Sequence, residues 1–155
     1  DALPISMKAN SLFNKTYHVV EGDAVDAGYS VAKIWRSEPN EDIIFEYSTA
    51  GDDRVRPNHV VLDGIRMRKS EWANSGFIPP WEYGCRCLLI NTGNTDGRNL
   101  TKNRKFPSED IVPKEFRTNV GESGAVFSRE HPYYEELTQG DSTIIRRVVK
   151  KVNNE

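Results

Sequence analysis

The 155-residue chain holds only two cysteines, Cys85 and Cys87, one residue apart. A bridge between them would close a very small, strained ring, and no third cysteine offers another partner, so a disulfide framework is excluded. What remains is free thiols or metal ligands in a reducing compartment, with cytoplasm as the default location. No apolar run approaches the length of a membrane-crossing helix, and the first residues lack the charged-then-apolar layout of a secretion signal. An excess of either charge is also missing. Twenty-one Lys and Arg face 23 Asp and Glu, a net charge of -2. That excludes coating nucleic acid by bulk electrostatics, though not through a local basic patch. There is no glycine-rich nucleotide loop, and no cluster of carboxylates such as a metal-dependent nuclease requires. The hydrophobic fraction is low at 37% and the charged fraction is 28%, so one domain with a modest core and long loops is expected. Asp1 in place of Met suggests a trimmed or excised piece.

What is present falls into three stretches: a helical arm over 1–40, a core over 41–92, and a loop-rich segment over 93–155 that ends in a basic helix. From Ser11 to Trp35, Val20, Ala24, Ala27, Val31, Ile34 and Trp35 recur at helical spacing, following Leu12, Phe13, Tyr17 and Val19. This predicts one long helix, weakened at Gly22 and Gly28 and bent near Gly22. Asp42–Thr49, with Ile43, Ile44, Phe45 and Tyr47, predicts a strand. After a turn at Gly51-Asp52-Asp53, Pro57 opens a short helix through Leu62, ended by Gly64. Ile65–Arg68 and Cys85–Asn91 predict two further strands. The aromatic loop between them carries Trp72, Phe77, Pro79, Pro80 and Trp81 and is expected to pack down on the domain. Residues 92–105 read as a flexible linker or exposed loop, Gly121–Gly124 as a turn, and His131-Pro132 as the start of a short helix. Ser142–Val152 pairs Ile144-Ile145 and Val148-Val149 with Arg146-Arg147 and Lys150-Lys151, a basic amphipathic helix. The fold class is therefore α+β, with a long N-terminal helix, a small and mostly antiparallel sheet, and C-terminal helical segments.

Chemistry concentrates between Tyr47 and Cys87. Cys85 and Cys87, two apart on a strand, would point to one face. With His59 they would supply three ligands of the type zinc favours, with Asp63 or a water as the fourth. The competing reading makes the cysteines small buried hydrophobes and His59 a hydrogen-bonded polar residue, and the one-residue spacing, short for zinc, favours it. Arg54, Arg56 and Arg86 could hold a phosphate or a partner carboxylate. Acids and bases alternate closely here, so pairing with Asp52, Asp53 and Asp63 is the simpler expectation, with Arg86 facing away from its two cysteine neighbours.

The order Tyr47-x-Thr49-x-x-Asp52-x-Arg54-Val55-Arg56-x-x-His59, Leu62-Asp63-Gly64, Trp72, Pro79-Pro80, Gly84-Cys85-Arg86-Cys87 resembles the phage Mu F-like head-morphogenesis family. The pattern Phe116-x-x-Asn119-x-Gly121-x-x-Gly124-x-Val126-Phe127 with His131-Pro132-Tyr133 resembles versions from Bacteroidetes prophages. Two stretches depart from the family. Lys69-Ser70-Glu71-Trp72 stands where an Asp-rich run to Phe-Trp is usual, and Pro80-Trp81-Glu82-Tyr83-Gly84 where Pro-Pro-Asn-Gly-Trp is.

The resemblance implies a minor capsid protein of a phage or prophage, located in the virion head or the bacterial host cytoplasm. It implies a non-enzymatic assembly role with portal and capsid proteins as partners, and no membrane. DNA is a further partner through the basic helix, although most such helices simply solvate their charged face. Family domains also occur within larger polypeptides carrying toxins. A nuclease-like enzyme is thus the alternative, with His59 beside Arg54 and Arg56, or His131 beside Arg129, doing acid–base work on a phosphodiester.

Overall fold

The computed structural model describes residues 18–131, with side chains from residue 21 onward. Helix α1, His18–Ser37, runs unbroken through Gly22 and Gly28. Ala24, Ala27, Val31 and Trp35 form its buried stripe, three or four residues apart, as one face of a 3.6-residue repeat demands. The start expected from Ser11, the helix opening at His131-Pro132 and the basic helix 142–152 lie outside the described residues.

Three strands form one antiparallel sheet in the order β2-β1-β3: β1 Ile44–Ser48, β2 Arg66–Arg68 and β3 Leu88–Asn91. Phe45 stands opposite Met67 and Tyr47 opposite Leu89. All four are buried, because residues two apart on a strand share a face. The other face carries the cross-strand pair Glu46 and Arg66, which also form an ion pair. Trp35 of α1 stacks on Phe45 at 5.8 Å, closing the core from above. The core draws on α1, the sheet, and Val112, Phe116 and Val120 further on.

Two short helices interrupt the path between strands. Helix α2, Pro57–Val60, begins on a proline as expected and ends earlier than Leu62. Helix α3, Lys69–Ala73, occupies the start of what reads in sequence as loop. Its first turn is secured by the Arg68 backbone N–H donating to Glu71 Oε2 at 2.9 Å. Trp72 lies fully buried on α3 and donates from Nε1 to Phe45 O at 3.0 Å, so a core anchor, not a loop contact, sets this helix.

Residues 92–105 take the second of the two expected forms, an exposed loop, and that loop is tied to the sheet. Arg66 donates its N–H to Thr101 Oγ1 at 2.9 Å and accepts from Thr101 N at 3.0 Å, extending the sheet's edge. Arg104 then bonds Glu71 Oε1 at 2.7 Å. The sequence hides this because the pairing partners are backbone and threonine hydroxyl, which carry no periodic signal.

The glycine-rich stretch near 121 forms a helix, α4, Val120–Ser123, rather than a bare turn. Asn119 caps it through Gly121 N at 3.0 Å, and Gly124 ends it at φ 70°. Gly121 lets α4 touch α1, since a Cβ there would fall 2.3 Å from Trp35 Cγ. Gly22 has nothing within 4 Å. Gly121→Ala should therefore lower stability by about 1–3 kcal/mol through overpacking. Gly22→Ala should raise it by roughly 0.5–1 kcal/mol through helix propensity. Thermal melts of the two variants check this, and a Gly121→Ala melt at or above the parent's would contradict the packing.

Glu71 is pushed up by burial, but the Arg68 N–H and the Arg104 guanidinium outweigh that and hold it below the ordinary glutamate range. A lowered carboxyl contributes stability above its unfolded value and loses it as pH falls through the folded one. Arg104→Gln should move the Glu71 midpoint upward in an NMR titration. An unmoved midpoint would show that Arg104 does not hold this carboxylate.

Candidate functional site

The site assembles where α2 meets the segment leading into β3. Arg56 caps α2 in extended conformation, and one helical turn later His59 points inward, only 2% exposed. Gly84, at φ 68°, turns the chain so that Cys85-Arg86-Cys87 leads into Leu88. The cysteines precede β3 rather than lying on it. The alternation expected of them holds nonetheless. Cys85 and Cys87 are both buried, while Arg86 faces the other way into a bidentate pair with Asp52 at 2.7 and 2.8 Å.

His59 Nδ1 lies 3.5 Å from Cys87 Sγ and 3.7 Å from Cys85 Sγ. Its Nε2 lies 2.9 Å from Glu82 Oε2. A carboxylate only accepts, so Nε2 carries a hydrogen and donates it to Glu82, while Nδ1 faces the two sulfurs. Arg56 Nε sits 3.5 Å from the other oxygen of Glu82, and Arg56 Nη2 donates to Tyr83 O at 2.6 Å. The Arg-x-x-His spacing thus places a guanidinium and an imidazole on the two oxygens of one carboxylate. Trp81 stacks flat on the imidazole at 3.8 Å and 8°, and its Nε1 donates to Tyr47 Oη at 2.9 Å.

These contacts set the thiols apart. Hydrogen bonding from Cys85 first, then from His59 and Tyr47, draws Cys87 down to about 5 against the opposing effect of burial. Cys85 is pushed up, chiefly because it shares its hydrogen with Cys87 and is buried. Tyr47 is likewise raised, by burial and by the neighbouring sulfurs.

Thiol, imidazole and carboxylate in a row also describe the nucleophile, base and orienter of a cysteine hydrolase. Access limits what that chemistry could reach. The cavity at the sulfurs, lined by His59, Cys85, Cys87, Arg54 and Arg56, holds about 10 Å³, room for a water and not for an acyl group or a nucleotide.

The other expected residues are placed elsewhere. Asp52 takes Arg86 and, at 3.8 Å, Arg54. Asp63 accepts from the Thr49 backbone at 2.7 Å and hydroxyl at 2.9 Å, so it ties the β1 end to the α2 exit and stands apart from the sulfur cluster. Gly64, at φ 73°, donates its N–H to Tyr47 O and makes the turn into β2. Pro80 packs on α1 at Gly28, where a Cβ would sit 3.4 Å from its Cδ. His131 is fully buried 3.0 Å from Glu21 of α1, whereas Arg129 is exposed. Sequence reasoning missed Glu82, which stands in a loop with no periodicity to mark it.

The geometry defines an α+β domain closed around an imidazole held between a carboxylate and two thiols. Residues 14–90 match the family described as Phage Mu protein F like protein, and the chain belongs to that family, which points to phage head morphogenesis. The match takes in every residue of the cluster and all of the sheet but its last residue, Asn91. Over 85 residues the chain is 32% identical to an uncharacterised protein of Methanocaldococcus jannaschii. That alignment covers 55% of this chain and 11% of the relative, so the chain spans a small part of that protein's length. No solved structure matches the chain. Among the described residues, no helix is long and apolar enough to cross a membrane.

Tyr47→Phe should leave the buried Trp81 N–H without its acceptor, at a cost of about 1–3 kcal/mol. Urea unfolding should show a lower midpoint at unchanged slope. An unshifted midpoint would mean that the bond contributes nothing.

Proposed function

We propose that the chain is a minor head protein of a phage or prophage that binds portal or capsid subunits during head morphogenesis and performs no catalysis. The observation that carries this reading is the family match across residues 14–90, which contains the whole buried cluster. Its place is then the virion head, reached from the bacterial host cytoplasm where heads are built. The pattern from Phe116 to Tyr133 supports a prophage of the Bacteroidetes kind as the source. The cations Arg146, Arg147, Lys150 and Lys151 make packaged DNA a further partner in this reading.

Burial supports the non-catalytic half. A nuclease needs its imidazole to meet a phosphodiester, and His59 and His131 are 2% and 0% exposed. Arg54 and Arg56, the cations that would hold the phosphate, are engaged with Asp52 and with Glu82 and Tyr83 O.

Deleting the gene from its phage should abolish filled, infectious heads, and a copy supplied in trans should restore them. Normal heads from the deletion would overturn the assembly role. The purified chain should leave DNA and RNA uncut with and without divalent metal. Cleavage that disappears in His59→Ala would replace this reading with the toxin or nuclease-like alternative.

A further inference from the structure

The distances around His59 fit a bound metal as well as they fit hydrogen bonds. For a tetrahedral zinc with bonds of about 2.3 Å to sulfur and about 2.05 Å to nitrogen, the N···S edge comes to about 3.6 Å. The two observed separations, 3.5 and 3.7 Å, bracket that value, and all three donor atoms lie within 4.8 Å of one another. A single Nδ1, whether it donates or accepts, can share one hydrogen with only one of the two sulfurs at a time. A metal at the centre of the same triangle satisfies all three atoms at once.

The geometry points to a zinc ion bound by His59 Nδ1, Cys85 Sγ and Cys87 Sγ, with one water as the fourth ligand in the small cavity beside Arg54 and Arg56. Nitrogen with two sulfurs is the donor set of a borderline-soft divalent ion. Glu82 holds the imidazole from behind, in the position from which a carboxylate fixes the tautomer and raises the basicity of a ligating histidine. Arg56, on the other oxygen, fixes the carboxylate in turn. The one-residue spacing of the cysteines is no obstacle. Cys85 and Cys87 are both buried against the imidazole, while Arg86 between them turns away to Asp52. On loading, the ion displaces to solvent whatever hydrogens the two thiols carry, and two thiolates balance its charge. The site then staples α2 to the approach of β3.

The test uses the full chain purified from zinc-supplemented medium. One zinc per chain after desalting is expected, together with a fall in melting temperature on adding a chelator. Cobalt exchanged into the apo chain should give a thiolate-to-cobalt charge-transfer band, which reports sulfur ligation without any substitution. Glu82→Gln should still take up one zinc per chain, with affinity weakened about tenfold. Cys87→Ser should lose the ion, and the cobalt spectrum of the parent chain decides should that variant fail to fold. A folded chain that holds no zinc after supplementation, and gives no thiolate band with cobalt, overturns the site.

Discussion

Glu82 is the residue on which the arrangement turns. A buried imidazole is costly unless both nitrogens find partners, and His59 is nearly sealed from water. One nitrogen faces the Glu82 carboxylate and the other the two sulfurs, while Trp81 covers a face of the ring. All of these partners lie in the stretch 81–87, far from His59 along the chain. Fixing one ring therefore fixes the exit of α2, the aromatic loop and the entry to β3 relative to one another. Asp63 and Arg86 tie the same segments at the surface, through Thr49 and Asp52. Those exposed pairs contribute little energy by themselves and act mainly on register.

The sheet supplies the floor for this cluster. Three short strands bury one face, and Tyr47 on that face reaches both Trp72 and Trp81. It thereby links the core proper to the sulfur cluster. On the far side, α1 and α4 approach closely because Gly121 offers Trp35 no side chain to meet. His131 and Glu21 form a second buried polar contact, joining the last described residue to the first turns of α1. Bonds between residues 110 positions apart close the domain as packing alone would not, since a polar pair is satisfied in one geometry only.

Much of this was legible in the residues. The stripe from Ala24 to Trp35 marked α1, and the β-branched and aromatic runs marked all three strands, because each has a period that burial imposes. The meeting of His59 with Cys85 and Cys87 was legible as a set of donor types, and the outward turn of Arg86 as simple alternation. What stayed hidden had no period to show. Helix α3 is one turn long and set by the Trp72 hydrogen bond. The 92–105 loop is pinned by backbone and threonine groups. Glu82 is one acid among many until the fold puts it behind His59. Asp63, read as a fourth ligand, is drawn off by Thr49, a partner 14 residues away that no spacing rule supplies.

The same three side chains could have made a hydrolase. Composition does not separate a thiol–imidazole–carboxylate nucleophile from a metal ligand set, because both want a nitrogen lone pair aimed at sulfur and a carboxylate behind it. The separation comes from what surrounds them. A nucleophile must be reached by a substrate, and so lies at a cleft; a ligand set must be shielded, so that competing donors and solvent stay out. Here Trp81 and Tyr47 close one side, and Arg54 and Arg56 stand over a cavity the size of a single water. A second sulfur at a similar distance adds nothing to a hydrolase and completes a ligand triangle. These surroundings favour the non-catalytic assembly role proposed above over the hydrolase that the same side chains could otherwise form.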